Sequence, residues 1–498
     1  MNSVKNRNTA TEASIASLHT SLLAGDLSGL DIIDRCLERV EKWDSRGPKL
    51  KAILAVNSQA RDIAAQQDVQ LAASQTLSGP LHGIPIMLKD NCNTSTMPTT
   101  AGSLALQAFT PARDSAVARR LTQAGAIILG KANLHEFALA GTTVSSLGGQ
   151  TRNPYDLRRT PGGSSGGSGV AVAMDFCTVA IGTDTVNSIR SPASANCVTG
   201  LRPTRGLISR AGIIPVTHTQ DTVGPMARTV ADIARVMDVL AGYDPDDSVT
   251  AHCVGKTPST YVDSLDPDAM RGRRLGILPT FQGSEERHEE VNHAMSEAVD
   301  VMRCAGAEVV IVDDPFLAAD SLLNQLDIQK WEFRGCLNGY LQAEPDATVR
   351  SLADIIDSGR YHKSSLEAFL AQAETVTDRL QDLEYLRRLA AINDLRDRLF
   401  NHMAAQNLDA MIYPLQRCLV APIEGSGQPE RNGILAALTG FPALNVPAGF
   451  SKPTPQAPLG VPIGLDFLAR PFDEPLLLGL GYAFEQLTGF RRPPILSD

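Results

Sequence analysis

The stretch Thr160–Met174 reads T-P-G-G-S-S-G-G-S-G-V-A-V-A-M, and I-G-T-D-T-V-N-S-I-R-S-P-A follows over Ile181–Ala193. Every position from Gly162 to Gly169 is glycine or serine. Such a run is either a loose linker or a backbone that must come very close to something. A linker would have polar flanks. Here Val170, Ala171, Val172 and Ala173, and then Val179, Ala180 and Ile181, read as a buried helix followed by a buried strand. The glycines therefore belong inside a folded core, and Ser188 follows them closely, between Asp184 and Arg190.

Upstream, Gly79–Asn91 reads G-P-L-H-G-I-P-I-M-L-K-D-N, in which an apolar strand over Ile84–Leu88 delivers Lys89 at its end. A lysine that closes a buried strand can lose water and hence its charge. A lone lysine there would more simply be a strand end reaching solvent. The serine-rich pieces downstream make the first reading worth following.

In order and spacing, Lys89 in G-I-P-I-M-L-K-D, Ser164 in G-G-S-S-G-G-S and Ser188 in G-T-D-T-V-N-S-I-R-S-P-A resemble the amidase signature family, the Ser-Ser-Lys hydrolases. The likeness continues through A-G-A-I-I-L-G-K-A-N-L-H-E-F, N-P-Y-D and G-L-R-P-T-R-G-L-I-S-R-A-G-I-I-P to T-G-F-P-A-L-N-V-P-A-G-F near the end. It implies an α/β fold, a large mixed β-sheet sandwiched between helical layers in a single domain, and hydrolysis of a carboxylic amide through an acyl-enzyme without metal or organic cofactor. It also implies a cis peptide bond between Gly163 and Ser164. Two other settings occur in the family: A-type subunits of glutamine-dependent amidotransferases, which act with partner chains, and catalytically degenerate binding proteins.

Amide cleavage needs a nucleophile, a base, a stabilised oxyanion and a protonated leaving amine. On the resemblance, Ser188 is the nucleophile and Ser164 relays its proton to Lys89. Lys89 must then be neutral, with its pKa lowered from about 10.4 toward about 7 to 8. Backbone N–H groups of Thr185, Val186, Asn187 and Ser188 would hold the oxyanion, since a bent backbone can aim several donors inward. Asp184, Arg190, Gly163 and Ser165 are supporting candidates. One departure stands out: most relatives have two glycines before the nucleophile, where this chain has Val186 and Asn187. Asparagine tolerates positive φ; valine does so only at a cost.

The 498 residues are 43% apolar with a net charge of −10. That is ample material for a core, and the scattered basic residues argue against a nucleic-acid partner. No apolar run approaches the roughly eighteen residues of a membrane span, and the first residues show no signal-peptide pattern, so a cytoplasmic protein, monomer or homodimer, is expected. The eight cysteines are spread singly, without zinc spacing, and read as reduced, mostly buried thiols.

Along the chain, N-terminal helices are expected over 10–75, with Ser28 as an N-cap and a strand near Leu50–Val56; the signature core covers 79–245. Helix and strand then alternate: 114–121 with Ala126–Leu129, 166–174 with 179–181, 230–241 with 275–278, and 286–304 with 308–312. Residues 320–400 read as a helical insertion. Its Trp331, Phe333 and Tyr340, with the Thr142–Gly149 loop, are candidate pocket walls. Strands near 410–413, 443–446 and 463–468 and a helix from Pro475 close the chain.

Other readings are weaker. G-S-S-G-G also fits a nucleophile elbow with Ser165 attacking, which would need a histidine such as His218, His252 or His288. No G-K-[ST] completes a phosphate loop. His288 and His293 are five apart rather than four, which suits a solvated charged face better than a metal site. Cys92 reads as packing. With no cluster of basic residues to meet an acidic substrate, a neutral aliphatic or aryl amide is the expected ligand.

Overall fold

The computed structural model describes residues 12–425 and 427–496. Residues 10 and 11 of the expected N-terminal helical region lie outside them. The described residues form thirteen strands: β1 Ile53–Val56, β2 Pro85–Lys89, β3 Ile127–Ala132, β4 Val144–Ser145, β5 Gly149–Gln150, β6 Val179–Asp184, β7 Thr199–Arg202, β8 Thr222–Ala227, β9 Arg274–Ile277, β10 Glu308–Ile311, β11 Ala410–Pro414, β12 Ala443–Phe450 and β13 Pro462–Leu468. Eleven form one mixed sheet in the order β1-β3-β2-β6-β8-β7-β12-β13-β11-β9-β10, and β4 and β5 form a small hairpin.

Pleating alternates side chains between the two faces. Ile86 and Leu88 of β2 therefore join a core with Ile15, Leu18, Val117, Ile233 and Leu480 from helices on one face. Met87, between them, joins Ile33, Ala64, Val170 and Val172 from helices on the other. A strand buried on both sides reads as a continuous apolar run, which is why P-I-M-L-K is legible. Ser28 caps the helix Gly29–Arg39 through a capping box with Asp31.

Two central strands escape a reading of the sequence. β8, T-V-G-P-M-A, carries a glycine and a proline, and β7, T-G-L-R, is short and interrupted; neither gives an apolar run. The helical insertion spans Ala319–Leu326, Gln329–Ala343, Leu352–Ser358, Lys363–Glu374 and Leu383–Ala405. One part packs Leu322, Leu326 and Leu395 with Met411 and Tyr413 of β11, and another packs Phe333, Leu337 and Leu366 over Phe109 and Phe137.

Strands β3, β2 and β6 run parallel, with Lys89 opposite Ala132 and Leu88 opposite Ile181. Their carboxyl ends therefore lie side by side, where open parallel sheets place their ligands. Lys89 ends β2, and the turn 185–188 leaves the end of β6.

Candidate active site

Lys89 is wholly buried. Its Nζ donates to Ser164 Oγ at 2.7 Å and to Thr183 Oγ1 at 2.7 Å. Among the described residues no carboxylate lies within ion-pair distance of it. Burial pulls the amine down to about 7, against the weaker pull of Cys92, Asp184 and Asp221. An amine lowered to about 7 is partly neutral at neutral pH, and the neutral fraction can take up a proton.

The peptide bond between Gly163 and Ser164 is cis. The loop carrying it is packed so tightly that a Cβ on Gly163 would sit 2.7 Å from the carbonyl carbon of Gly141 and 2.9 Å from Thr143 Oγ1. Thr143 Oγ1 donates to Gly162 O at 2.7 Å and accepts from Gly166 N at 3.0 Å. The Thr142–Gly149 loop thus braces the serine loop through Thr143, a closer role than the pocket wall expected of it.

Ser165 is a framework residue. Its Oγ donates to Thr183 O at 3.2 Å and accepts from Thr183 N at 3.3 Å, while its N–H holds Ser188 O at 3.2 Å. Among the described residues no histidine bonds its hydroxyl, so the nucleophile-elbow alternative finds no base there. His288, expected on a solvated face, is instead buried with Nε2 2.9 Å from Glu430 Oε2, because it closes the turn that enters its helix. His293 remains exposed beside Glu297.

The turn after β6 is held from behind. Arg202 Nη1 donates to Asp184 O at 2.6 Å, Gln220 Nε2 to Thr185 O at 3.5 Å, and Arg190 Nη2 to Val186 O at 2.7 Å. In a trans peptide the carbonyl and the following N–H point in opposite directions. The N–H groups of Thr185, Val186 and Asn187 are therefore turned away from these three side chains. Among the described residues none of the N–H groups of Thr185, Val186, Asn187 and Ser188 donates a hydrogen bond. Four adjacent buried donors without acceptors are rare and suit a developing oxyanion.

The departure at Val186 and Asn187 causes no conflict, because neither residue has a positive φ. Asp184 lies between Arg190 (3.2 Å) and Arg202 (2.7 Å), and Arg190 also reaches Asp466 at 2.7 Å, all four fully buried. Burial alone would raise the Asp184 carboxyl, but the two guanidiniums hold it down at about 2. This network fixes the turn, so Asp184 and Arg190 act by position. Sequence reading misses Arg202 and Asp466, and with them Thr183.

Ser188 is 5% exposed, and its Oγ makes no hydrogen bond among the described residues. The link from Lys89 to Ser164 is thus a direct hydrogen bond, whereas the step from Ser164 to Ser188 is not bridged by one. The expected pocket aromatics divide: Phe333 is core, Trp331 donates Nε1–H to Asp382 and borders a separate cavity of about 430 Å³, and Tyr340 lines a cavity of about 320 Å³ that Thr183 also borders. Among the described residues no group of three or more His, Cys, Asp or Glu is placed to hold a metal ion, and no helix is long and apolar enough to cross a membrane.

The model of the family described as Amidase matches residues 31–478. The chain belongs to the amidase family. It is 34% identical to the A-type subunit of the glutamyl-tRNA(Gln) amidotransferase of Chloroflexus aggregans, covering 97% of this chain and 98% of that protein. The corresponding protein of Acaryochloris marina is also 34% identical, over 96% of this chain and 99% of its own. Among solved structures, the peptide amidase of Stenotrophomonas maltophilia superposes with a TM-score of 0.88 at 39% identity, covering 98% of this chain and 99% of that one. As an amidase-family member whose relatives include A-type amidotransferase chains and a peptide amidase, the chain is an amide-hydrolysing enzyme.

Proposed function

We propose that this amidase-family enzyme hydrolyses a primary carboxamide and releases ammonia, with Ser188 as nucleophile, Ser164 as proton relay and Lys89 as base. The observation that carries the proposal is the buried Lys89 Nζ at 2.7 Å from Ser164 Oγ, together with the four N–H groups of 185–188 that have no acceptor among the described residues. Ser188 Oγ attacks the carbonyl carbon, and its proton passes through Ser164 to Lys89. Negative charge on the carbonyl oxygen meets the N–H groups of the turn. As the C–N bond breaks, the departing nitrogen takes the proton back along the same route and leaves an ester on Ser188. Water gives its proton to Lys89 by the same path and attacks that ester, and as the acyl C–O bond breaks the proton returns to Ser188 Oγ and the acid is freed.

The curated relatives favour placing this chemistry in an A-type chain of a glutamine-dependent amidotransferase, working with partner chains. A second setting, an amidase acting on peptide amides, is favoured by the peptide amidase at higher identity. Ammonia release by the purified chain distinguishes them: turnover of peptide amides without partners supports the stand-alone enzyme, and glutamine turnover that needs partner chains supports the amidotransferase. In either setting Ser188→Ala abolishes turnover, and an unchanged rate would remove the mechanism.

A further inference from the structure

Glu332, on the helix Gln329–Ala343 of the insertion, is wholly buried, and among the described residues no lysine, arginine or histidine lies within ion-pair distance of it. Hydrogen bonds alone hold its carboxylate. Oε1 accepts from Tyr385 Oη at 2.8 Å, and Oε2 accepts from His218 N at 2.8 Å, Thr219 N at 3.0 Å and Thr219 Oγ1 at 3.0 Å. Three of the four donors thus belong to one loop, between β7 and β8. Among the described residues neither His218 nor Thr219 gives its N–H to a backbone carbonyl, so Glu332 is the one acceptor those two groups have there. Burying a carboxylate without a cation is costly, and these bonds offset the cost.

The same loop also holds the turn before Ser188. Asp221 gathers the loop by accepting from Val216 N at 2.8 Å, Thr217 N at 3.0 Å and Thr217 Oγ1 at 3.0 Å. It accepts as well from Thr185 Oγ1 at 2.7 Å, and Gln220 Nε2 donates to Thr185 O at 3.5 Å. Thr185 carries the first of the four N–H groups without acceptors. Segment 216–221 therefore joins the insertion to the turn through two carboxylates. It also borders the cavity of about 320 Å³, which Thr217, His218 and Asp221 line together with Cys336 and Tyr340 of the insertion helix. On that side open space replaces packing, so hydrogen bonds rather than close contact set where the loop stands.

Resting on the reading of 185–188 as the oxyanion site of Ser188, we infer that Glu332 is a positioning residue for that turn. By gripping the 216–221 loop, its carboxylate fixes Thr185 and so sets the rate at which Ser188 is acylated, while contributing nothing to the binding of substrate. The helical insertion then does more than wall a pocket: one of its side chains aligns the donors that meet the developing charge.

Single-turnover release of p-nitrophenolate from p-nitrophenyl acetate, with enzyme in excess, reads acylation directly. A variant that merely loses folded sites raises the half-saturating enzyme concentration and leaves the limiting rate unchanged. Glu332→Gln keeps the shape but turns one acceptor oxygen into a donor, and it should lower the limiting rate on the order of 10-fold. Thr219→Val removes one of the four donors and should lower it on the order of 3-fold, with half-saturation moved by no more than about twofold in either variant. Thr185→Val cuts the link to Asp221, so in that background Glu332→Gln should cost no more than about twofold. Wild-type limiting rates in both Glu332→Gln and Thr219→Val, or an undiminished factor in the Thr185→Val background, would overturn the inference. Equal release by wild type and Ser188→Ala would instead remove the Ser188 reading, and this inference with it.

Discussion

Lys89 Nζ and Ser164 Oγ stand 2.7 Å apart in a site where, among the described residues, no carboxylate lies within ion-pair distance of the amine. Its surroundings set its affinity for a proton: apolar strand on one side, hydroxyls of Ser164 and Thr183 on the other.

Activity should follow the charge state of that amine. With Lys89 lowered to about 7, the neutral, proton-accepting form grows as pH rises, so kcat/KM should climb on an ascending limb centred near 7. A pH profile with no ascending limb between 6 and 8 would contradict this. Lys89→Met should lower kcat by a factor on the order of 10² to 10⁴.

The same shift predicts a stability effect. Folded Lys89 loses its proton near 7 while the unfolded side chain holds it to about 10.4, so between those values the unfolded state binds more protons and stability rises with pH. Below about 7 both states are protonated and the full burial cost applies. Denaturant midpoints of wild type relative to Lys89→Met should therefore increase from pH 7 to pH 10; a flat difference would refute the shift.

Asp184→Asn should be strongly destabilising, because it leaves Arg190 and Arg202 buried with part of their counter-charge removed. Breaking one partner of a buried ionic cluster costs roughly 3–5 kcal/mol. Since the wild-type carboxyl is lowered to about 2, its stabilisation is complete above the ordinary value of 3.8 and is lost as pH falls from there through about 2. Acid unfolding curves of the two proteins should converge over that range.

Gly433→Ala should impair catalysis more than folding. The added methyl meets Asn187 Cβ at 2.4 Å and must push the turn that carries the four free N–H groups. Overpacking of this kind costs about 1–3 kcal/mol in stability, whereas a small displacement of an oxyanion donor lowers kcat by about 10²-fold. A variant with wild-type kcat would show that the turn tolerates the shift.

Ser164→Ala removes the hydroxyl proposed to relay the proton of Ser188 while leaving Lys89 bonded to Thr183. The expected result is a fall of about 10²-fold or more in acyl-enzyme formation, read by mass spectrometry after rapid quench. Undiminished acylation would mean that Ser188 reaches its base by another route.

The order of helices and strands, Lys89 at a strand end and the two serine loops were legible because each is a local pattern: an apolar run closed by a charge, or a glycine-serine run with apolar flanks. The family likeness added the pairing of Lys89 with Ser164. Strands β7 and β8 were illegible because glycine and proline interrupt them, and only neighbouring strands make them extended.

Sequence by itself determined which groups could do chemistry and roughly where the chain would turn. Tertiary structure decided their state. Arg190 meets Asp466 across 276 positions, and Arg431 meets Asn187 across 244. Such contacts leave no periodicity in the chain. The pull on Lys89 likewise depends on water being excluded by segments far apart in sequence. Burial and long-range pairing are properties of the assembled sheet and its covering helices, and they lower the proton affinity of an ordinary lysine and leave the N–H groups of an ordinary turn without acceptors among the described residues.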